Sequence, residues 1–228
     1  QPNACPVCGP RVWLTNAEGH DLAAADLGAQ DAIEAASRLL ERGKVVAIKG
    51  IGGFHLACDA TNPAAVAALR TRKRRAAKPF ALMARDLDVV RAFCVLSPAD
   101  AELLSSTVAP IVLLDLLGAN GSAGALASAP KPEADVGARA ELDAALCDLP
   151  SIAAEVAPGQ SALGLMLPYS PLHHLLVQDW DRPLVMTSGN LSDEPQCIDN
   201  ADALTRLAGI ADAWLLNDRE IVNRVDDS

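Results

Sequence analysis

Three positions in this chain set a helix-capping side chain directly before a proline: Asn62 before Pro63, Ser97 before Pro98, and Ser170 before Pro171. The polar side chain accepts from the unpaired N–H groups that open a helix, and a proline in the first turn lacks only a donor that would find no partner there. Each pair therefore fixes a helix start. Around them lie short apolar runs at 45–48, 80–84, 111–114, 162–167, 184–187 and 213–216, too brief for stable helices and of strand length. Another helix is expected over 31–41, capped by Asp31 and stopped by Gly43, and a further one begins near Asp199. Strands alternating with helices define an α/β (α+β) domain, a twisted mixed sheet flanked by helices. No internal repeat is present.

At 228 residues the chain has room for one generous α/β domain or two small ones. Half of it is apolar, which excludes disorder along the whole length. Aromatic residues make up only 3%, so the core must be built from Ala, Leu and Val, which argues against a protein that stacks bases on aromatic platforms. No apolar run approaches the ~20 residues of a membrane span, and the N-terminus lacks a signal-peptide layout. Cys58, Cys94, Cys147 and Cys197 are scattered singly, the pattern of reduced thiols in a cytoplasmic protein. Residues 116–150 turn to Ala, Gly, Ser and Pro and read as a flexible insertion. Starting at Gln1, the chain reads as a piece of a longer protein.

The charge is unevenly spread. Arg70, Arg72, Lys73, Arg74, Arg75 and Lys78 sit together with no acid among them in a chain of net charge −10. Without those six, 13 basic residues face 29 acidic ones, a balance of −16. One dense basic knot in an acidic protein suits a small anion, whereas a nucleic-acid duplex wants a broad basic face. The plain alternative is a solvated helix end, where cations favour the dipole. If the chain is extended after this helix, Lys73 and Arg75 share one side and Arg74 the other. A fork and a point charge so placed can straddle a polyphosphate.

Other motifs are weaker alone. Thr187-Ser188-Gly189-Asn190 follows a strand at the end where α/β sheets bind ligands, and supplies neutral groups for a phosphate or ribose; it is also an ordinary turn. Lys49 ends a strand beside the glycine-rich bend of Gly50, Gly52 and Gly53, a spacing that is neither a Walker loop nor a Rossmann fingerprint. His173 and His174 are adjacent on a helix, so they diverge by about 100° and cannot ligate one metal from the same face. One is expected in the core or solvent and the other facing a pocket. Cys5 and Cys8 form a CxxC turn, half of a four-ligand zinc site whose other pair would lie upstream.

Taken in order, these motifs resemble the YrdC/Sua5-like domain, and more closely that of the hydrogenase maturation carbamoyltransferases (HypF). The runs KGIGGFHLACDATN at 49–62, RKRRAAKPFALM at 72–83, LGLMLPYSPLHHLL at 163–176, TSGNLSDEP at 187–195 and NRVDDS at 223–228 carry the resemblance. The leading NACPVCGPR resembles the last CxxC of that family's zinc-finger region. The resemblance implies residues 1–20 as the end of that region and 21–228 as the YrdC-like nucleotide-binding domain. It covers nearly all but 116–150, where the insertion is longer than usual. It implies an enzyme that adenylates carbamate, released from carbamoyl phosphate, with ATP and Mg²⁺, giving carbamoyl-adenylate and pyrophosphate. A downstream Kae1-like domain would then pass the carbamoyl group to a HypE-type partner on the route to the cyanide ligands of NiFe hydrogenase. By the same likeness Lys73, Arg75, Ser188 and Asn190 lie at the nucleotide, Lys49 near the carbamoyl end and Ser228 near the phosphates. Lys78 and Arg224 join the nucleotide site, His55 and His174 the substrate site, and Asp226 and Asp227 could hold Mg²⁺ indirectly. Zn²⁺ is implied only with the upstream ligands. Two other readings stand beside it: a threonylcarbamoyl-adenylate synthase serving tRNA modification, and a double-stranded RNA-binding module, which the acidic balance opposes.

Overall fold

The structure is a computed structural model that describes residues 9–117, 151–192 and 194–225. Its strands are β1 (Val12–Thr15), β2 (Val46–Lys49), β3 (Phe54–Asp59), β4 (Leu82–Met83), β5 (Val112–Asp115), β6 (Ala162–Met166), β7 (Leu184–Ser188) and β8 (Ala213–Asn217). The helices are α1 (Ala32–Glu41), α2 (Pro63–Arg72), α3 (Leu87–Phe93), α4 (Pro98–Leu104), α5 (Pro171–Leu176) and α6 (Asn200–Arg206). Their starts follow from local chemistry. Asn62 accepts from Ala65 N and Ser170 from His173 N, and Ser97 forms a reciprocal capping box with Asp100. Asp31 accepts from the N–H groups of Ile33 and Glu34, and Gly43, after α1, takes the left-handed φ of 74°.

All eight strands form one sheet in the order β1-β8-β2-β3-β7-β4-β6-β5. The β8/β2 and β4/β6 pairs are parallel and the rest antiparallel, which makes the mixed sheet that the alternation of elements implies. The period of two along each strand divides the apolar residues between two cores. Phe54, Leu56 and Cys58 of β3 join Trp214 and Leu216 of β8 on one face, covered by α2, α3, α4 and α6. Ala57, Ala213 and Leu215 belong to the other, covered by α1, α5 and Trp180. With both faces covered, β2 and β3 are buried at every position and do not alternate with solvent. The architecture is the expected mixed sheet, here of eight strands, flanked by helices on both faces.

Two strands carry little signal in the sequence. Val12–Thr15, within the stretch read as the end of a zinc-finger region, is an edge strand paired with β8. A four-residue edge strand in front of a loop carries too little pattern to declare itself. The glycine-rich bend is followed by β3, which pairs back on β2 as a hairpin. Of the insertion, only Leu116 and Leu117 fall within the described residues; Leu116 bridges Cys94, and Leu117 N donates to Phe93 O.

The pairing directions decide where a site can form. β8 runs parallel to β2, and β3 runs antiparallel to both β2 and β7. The carboxyl ends of β2, β7 and β8 therefore emerge together, at Lys49, Ser188 and Asn217. At the opposite end of β3, Asp59 accepts from Thr61 N, Thr61 Oγ1 and Arg182 Nε, the last at 2.9 Å. Asp59 is buried and Arg182 mostly so. Replacing Asp59 by Ala leaves those donors unpaired and is expected to cost about 2 kcal/mol. Urea unfolding would show it as a lower midpoint at unchanged m-value.

Candidate active site at the carboxyl edge of the sheet

Lys73 ends α2, and the chain turns there without extending. Lys73 has φ −76° and ψ −8°, and Arg74 adopts a left-handed φ of 54°. The extended reading of 73–75 is thus corrected: a helix C-terminal turn, and not strand alternation, sends Lys73 inward and Arg74 to solvent. Lys73 is 1% exposed, and its ammonium donates to Ser188 O (2.6 Å), Asn190 O (2.7 Å) and Asn190 Oδ1 (2.6 Å). Ser188 Oγ also donates to Asn190 Oδ1, and Asn190 Nδ2 donates to Glu194 O. Ser192 Oγ returns the tie by donating to Lys73 O at 2.9 Å. Gly189 makes the bend possible, because a Cβ there would sit 2.6 Å from Phe54 O, which its own N–H bonds.

The rest of the knot divides between structure and surface. Arg70 donates to the carbonyls of Glu155, Val156 and Arg75 and lies over the Phe80 ring, fastening the loop after α2. Arg72 pairs with Asp212 at 3.0 Å. Arg75 stacks on the same Phe80 ring at 5.1 Å and donates to Lys78 O and Pro79 O, and among the described residues no hydrogen bond joins it to the 188–190 bend. Lys78 is exposed. The knot is therefore part scaffold, with Lys73 as its inward cation.

On the other side of β3, Lys49 is 5% exposed and donates to Asn217 O at 3.1 Å. Asn217 Nδ2 donates back to Lys49 O. Burial pushes the Lys49 amine below the ordinary lysine value, although Asp199, Asp218 and Glu220 act in the opposite sense. Lys49, Asn217, Ser170, Ile51 and Leu172 line a cavity of about 590 Å³.

His55 faces Ser188 across the β3/β7 register. Its Nε2 lies 3.0 Å from the Tyr169 hydroxyl, and its ring occupies the space that a side chain on Gly50 would need. Tyr169 and His55 border a smaller cavity of about 160 Å³ with Ile51, Gly52 and Val225. The structure reverses the reading of the histidine pair: His174 is exposed, and His173 is buried edge-on to Tyr169 and His55, with ring centroids 4.6 and 5.8 Å away. Ser170 caps α5 at His173 N, and this fixes the face on which His173 falls. Among the described residues neither ring nitrogen of His173 has a hydrogen-bond partner, and burial, helped by His55 and His174, pulls its pKa down to about 3. Tyr169 went unrecognised in the sequence, although it is the chain's single tyrosine, set beside a helix cap.

Arg224 is exposed on the last described segment, where Val225 N donates to Gly52 O. Cys5, Cys8, Asp226, Asp227 and Ser228 lie outside the described residues. Among the described residues no group of three or more His, Cys, Asp or Glu side chains could hold a metal ion, and no helix is long and apolar enough to cross a membrane.

A mixed sheet whose strand ends converge on a buried lysine and a Ser-Gly-Asn bend has the edge geometry at which open α/β sheets carry ligands. The chain belongs to the Sua5/YciO/YrdC family, whose model, described as "Telomere recombination", matches residues 38–133 and 143–228. Within it, the match is to the YrdC-like domain of the hydrogenase maturation carbamoyltransferase HypF. HypF of Rhodobacter capsulatus is 46% identical over all 228 residues, and HypF of Synechocystis sp. 42% identical over 88% of the chain. The chain spans about a quarter of the length of these relatives, 25% and 22%. A crystal structure of full-length HypF in a phosphate- and nucleotide-bound form is 42% identical and covers all of this chain and 25% of its own, with a TM-score of 0.77. E. coli YciO, 18% identical with a TM-score of 0.53 over 79% of this chain and 74% of its own, shares the fold.

The buried neutral His173 links stability to pH with a definite sign. Between its ordinary value of 6.5 and about 3, the unfolded chain binds a proton that the folded chain refuses. This contribution is complete above pH 6.5 and is lost as the pH falls toward 3, by up to about 1.4 kcal/mol per unit. His173→Phe keeps a ring and removes the titration. Urea midpoints measured from pH 7 to 4 are expected to fall more steeply for wild type than for this variant.

Proposed function

We propose that this domain adenylates carbamate: a carbamate oxygen attacks the α-phosphorus of ATP, the α–β phosphoanhydride bond breaks, and pyrophosphate leaves. The reading is carried by the Lys73 ammonium, buried at the carboxyl edge and seated on the 188–190 bend. The nucleotide- and phosphate-bound HypF relative supports it.

Carbamate is already an anion, so its attack needs no strong general base. The difficulty is to hold two anions together away from water, and this calls for fixed cations and a partly closed site. Lys73 and Arg75 are assigned to the phosphates, with Ser188 and Asn190 as neutral donors beside them. Lys49 and His55 are assigned to the carbamoyl end, Tyr169 fixing the His55 ring through its hydroxyl. Lys78, Arg224 and Ser228 belong to the phosphate rim in this reading. Mg²⁺ would arrive with ATP, coordinated chiefly by phosphate oxygens and water, which suits an edge that has no carboxylate cage among its described residues.

In the longer protein, a downstream domain passes the carbamoyl group to a HypE-type acceptor in hydrogenase maturation. Cys5 and Cys8 contribute half of a zinc site completed upstream, and the protein works in the cytoplasm.

Pyrophosphate release from Mg·ATP should require ammonium carbamate and be unresponsive to threonine. Lys73→Ala is expected to lower that release by about 100-fold, the effect of losing one preorganised charge at developing phosphate charge. Release that depends on threonine would instead make the domain a threonylcarbamoyl-adenylate synthase. Wild-type rates in the Lys73 variant would dismiss the site.

A further inference from the structure

Lys49 is an unusual lysine. Its side chain sits in the protein interior, yet the residue lines a cavity of about 590 Å³ whose walls are largely apolar: Ile33, Ile51, Pro171, Leu172 and Ile221. Among the described residues it makes one hydrogen bond, to Asn217 O, and no carboxylate lies within ion-pair distance. Asp199, Asp218 and Glu220 act only from farther away, and Arg219 and Glu220 stand at the cavity's border. A buried ammonium is costly unless it is paired and fully hydrogen-bonded, and this burial holds the Lys49 amine below the ordinary lysine value.

The amine is also held still. Asn217 accepts from Lys49 Nζ through its carbonyl and donates through Nδ2 to Lys49 O, gripping the residue at both ends. Asn217 is fixed in turn, because Asn200 Nδ2 donates to its carbonyl and Arg219 N to its Oδ1. An amine that spends one N–H on Asn217 can turn its lone pair toward the cavity. That is the arrangement of an activated nitrogen nucleophile: desolvated, oriented and open on one side.

We propose that Lys49 is a site of covalent modification by small uncharged carbonyl electrophiles, isocyanic acid being the simplest. The Lys49 nitrogen adds to the carbon of HN=C=O, the C=N bond takes up the transferred proton, and a urea forms with no leaving group and no redox change. The largely apolar walls of the cavity suit an uncharged reagent. Joined to the proposed carbamate chemistry, on which this consequence rests, Lys49 becomes the position where a stray carbamoyl group is captured and the site silenced.

The test is cyanate labelling of the intact chain at pH 8, stopped early and mapped by peptide mass spectrometry. Exposed Lys44 and Lys78 serve as internal references. Each unit by which the amine's pKa is lowered raises its neutral fraction about tenfold, so Lys49 is expected to gain the 43-Da adduct several-fold faster than Lys44. In urea the rates should converge, because the advantage belongs to the fold. A Lys49 rate at or below that of Lys44 in the folded chain overturns the proposal, as does a preference that persists in urea. No ATP is involved, so this outcome is independent of whether the domain adenylates carbamate.

Discussion

The interaction on which the rest depends is the bond set of the Lys73 ammonium with Ser188 O, Asn190 O and Asn190 Oδ1. It joins the end of α2, which packs on one face of the sheet, to the end of β7, a central strand. Burying an ammonium in a protein with so few polar groups inside is affordable only where oxygen acceptors are already fixed in place. The turn after β7 fixes them, because Gly189 lets the chain approach Phe54 O more closely than any side chain would permit. Backbone geometry, more than side-chain charge, thus determines where the cation sits.

The sheet then gathers the remaining groups. Because β2, β7 and β8 point the same way, one edge carries Lys49, Ser188 and Asn217, while the start of β3 brings His55 opposite Ser188. Lys73 approaches from the face covered by α2, and the His55–Tyr169–His173 rings from the face covered by α5. The edge is therefore enclosed from both layers, and two cavities flank the glycine bend between β2 and β3. A hydrogen-bonded tyrosine beside a buried neutral histidine whose ring nitrogens find no partner among the described residues is a poor way to stabilise a core, and such costs gather at functional edges.

Much of this was legible in the sequence because it rests on local chemistry. Asn62-Pro63, Ser97-Pro98 and Ser170-Pro171 mark helix starts through side-chain acceptors a few residues away, and the runs at 162–167 and 184–187 are continuous because both faces are covered. The neighbourhood of Lys73 and the 188–190 bend came from motif order, and 115 residues separate Lys73 from Ser188. What the sequence concealed is non-local. The direction of Lys73 depends on a left-handed Arg74, which no glycine announced. The choice of His173 over His174 depends on the rotation of α5 set by its cap. Arg70 and Arg72, indistinguishable by type from Arg75, are taken up by carbonyls and an aspartate far along the chain.

The most direct test is a crystal structure of this chain with Mg²⁺ and a non-hydrolysable ATP analogue. The account predicts phosphate oxygens within about 3 Å of Lys73 Nζ, the distance of a charge-assisted hydrogen bond, with Ser188 and Asn190 beside them. A nucleotide bound elsewhere, with the Lys73 ammonium still wholly engaged on the 188–190 bend, would contradict it.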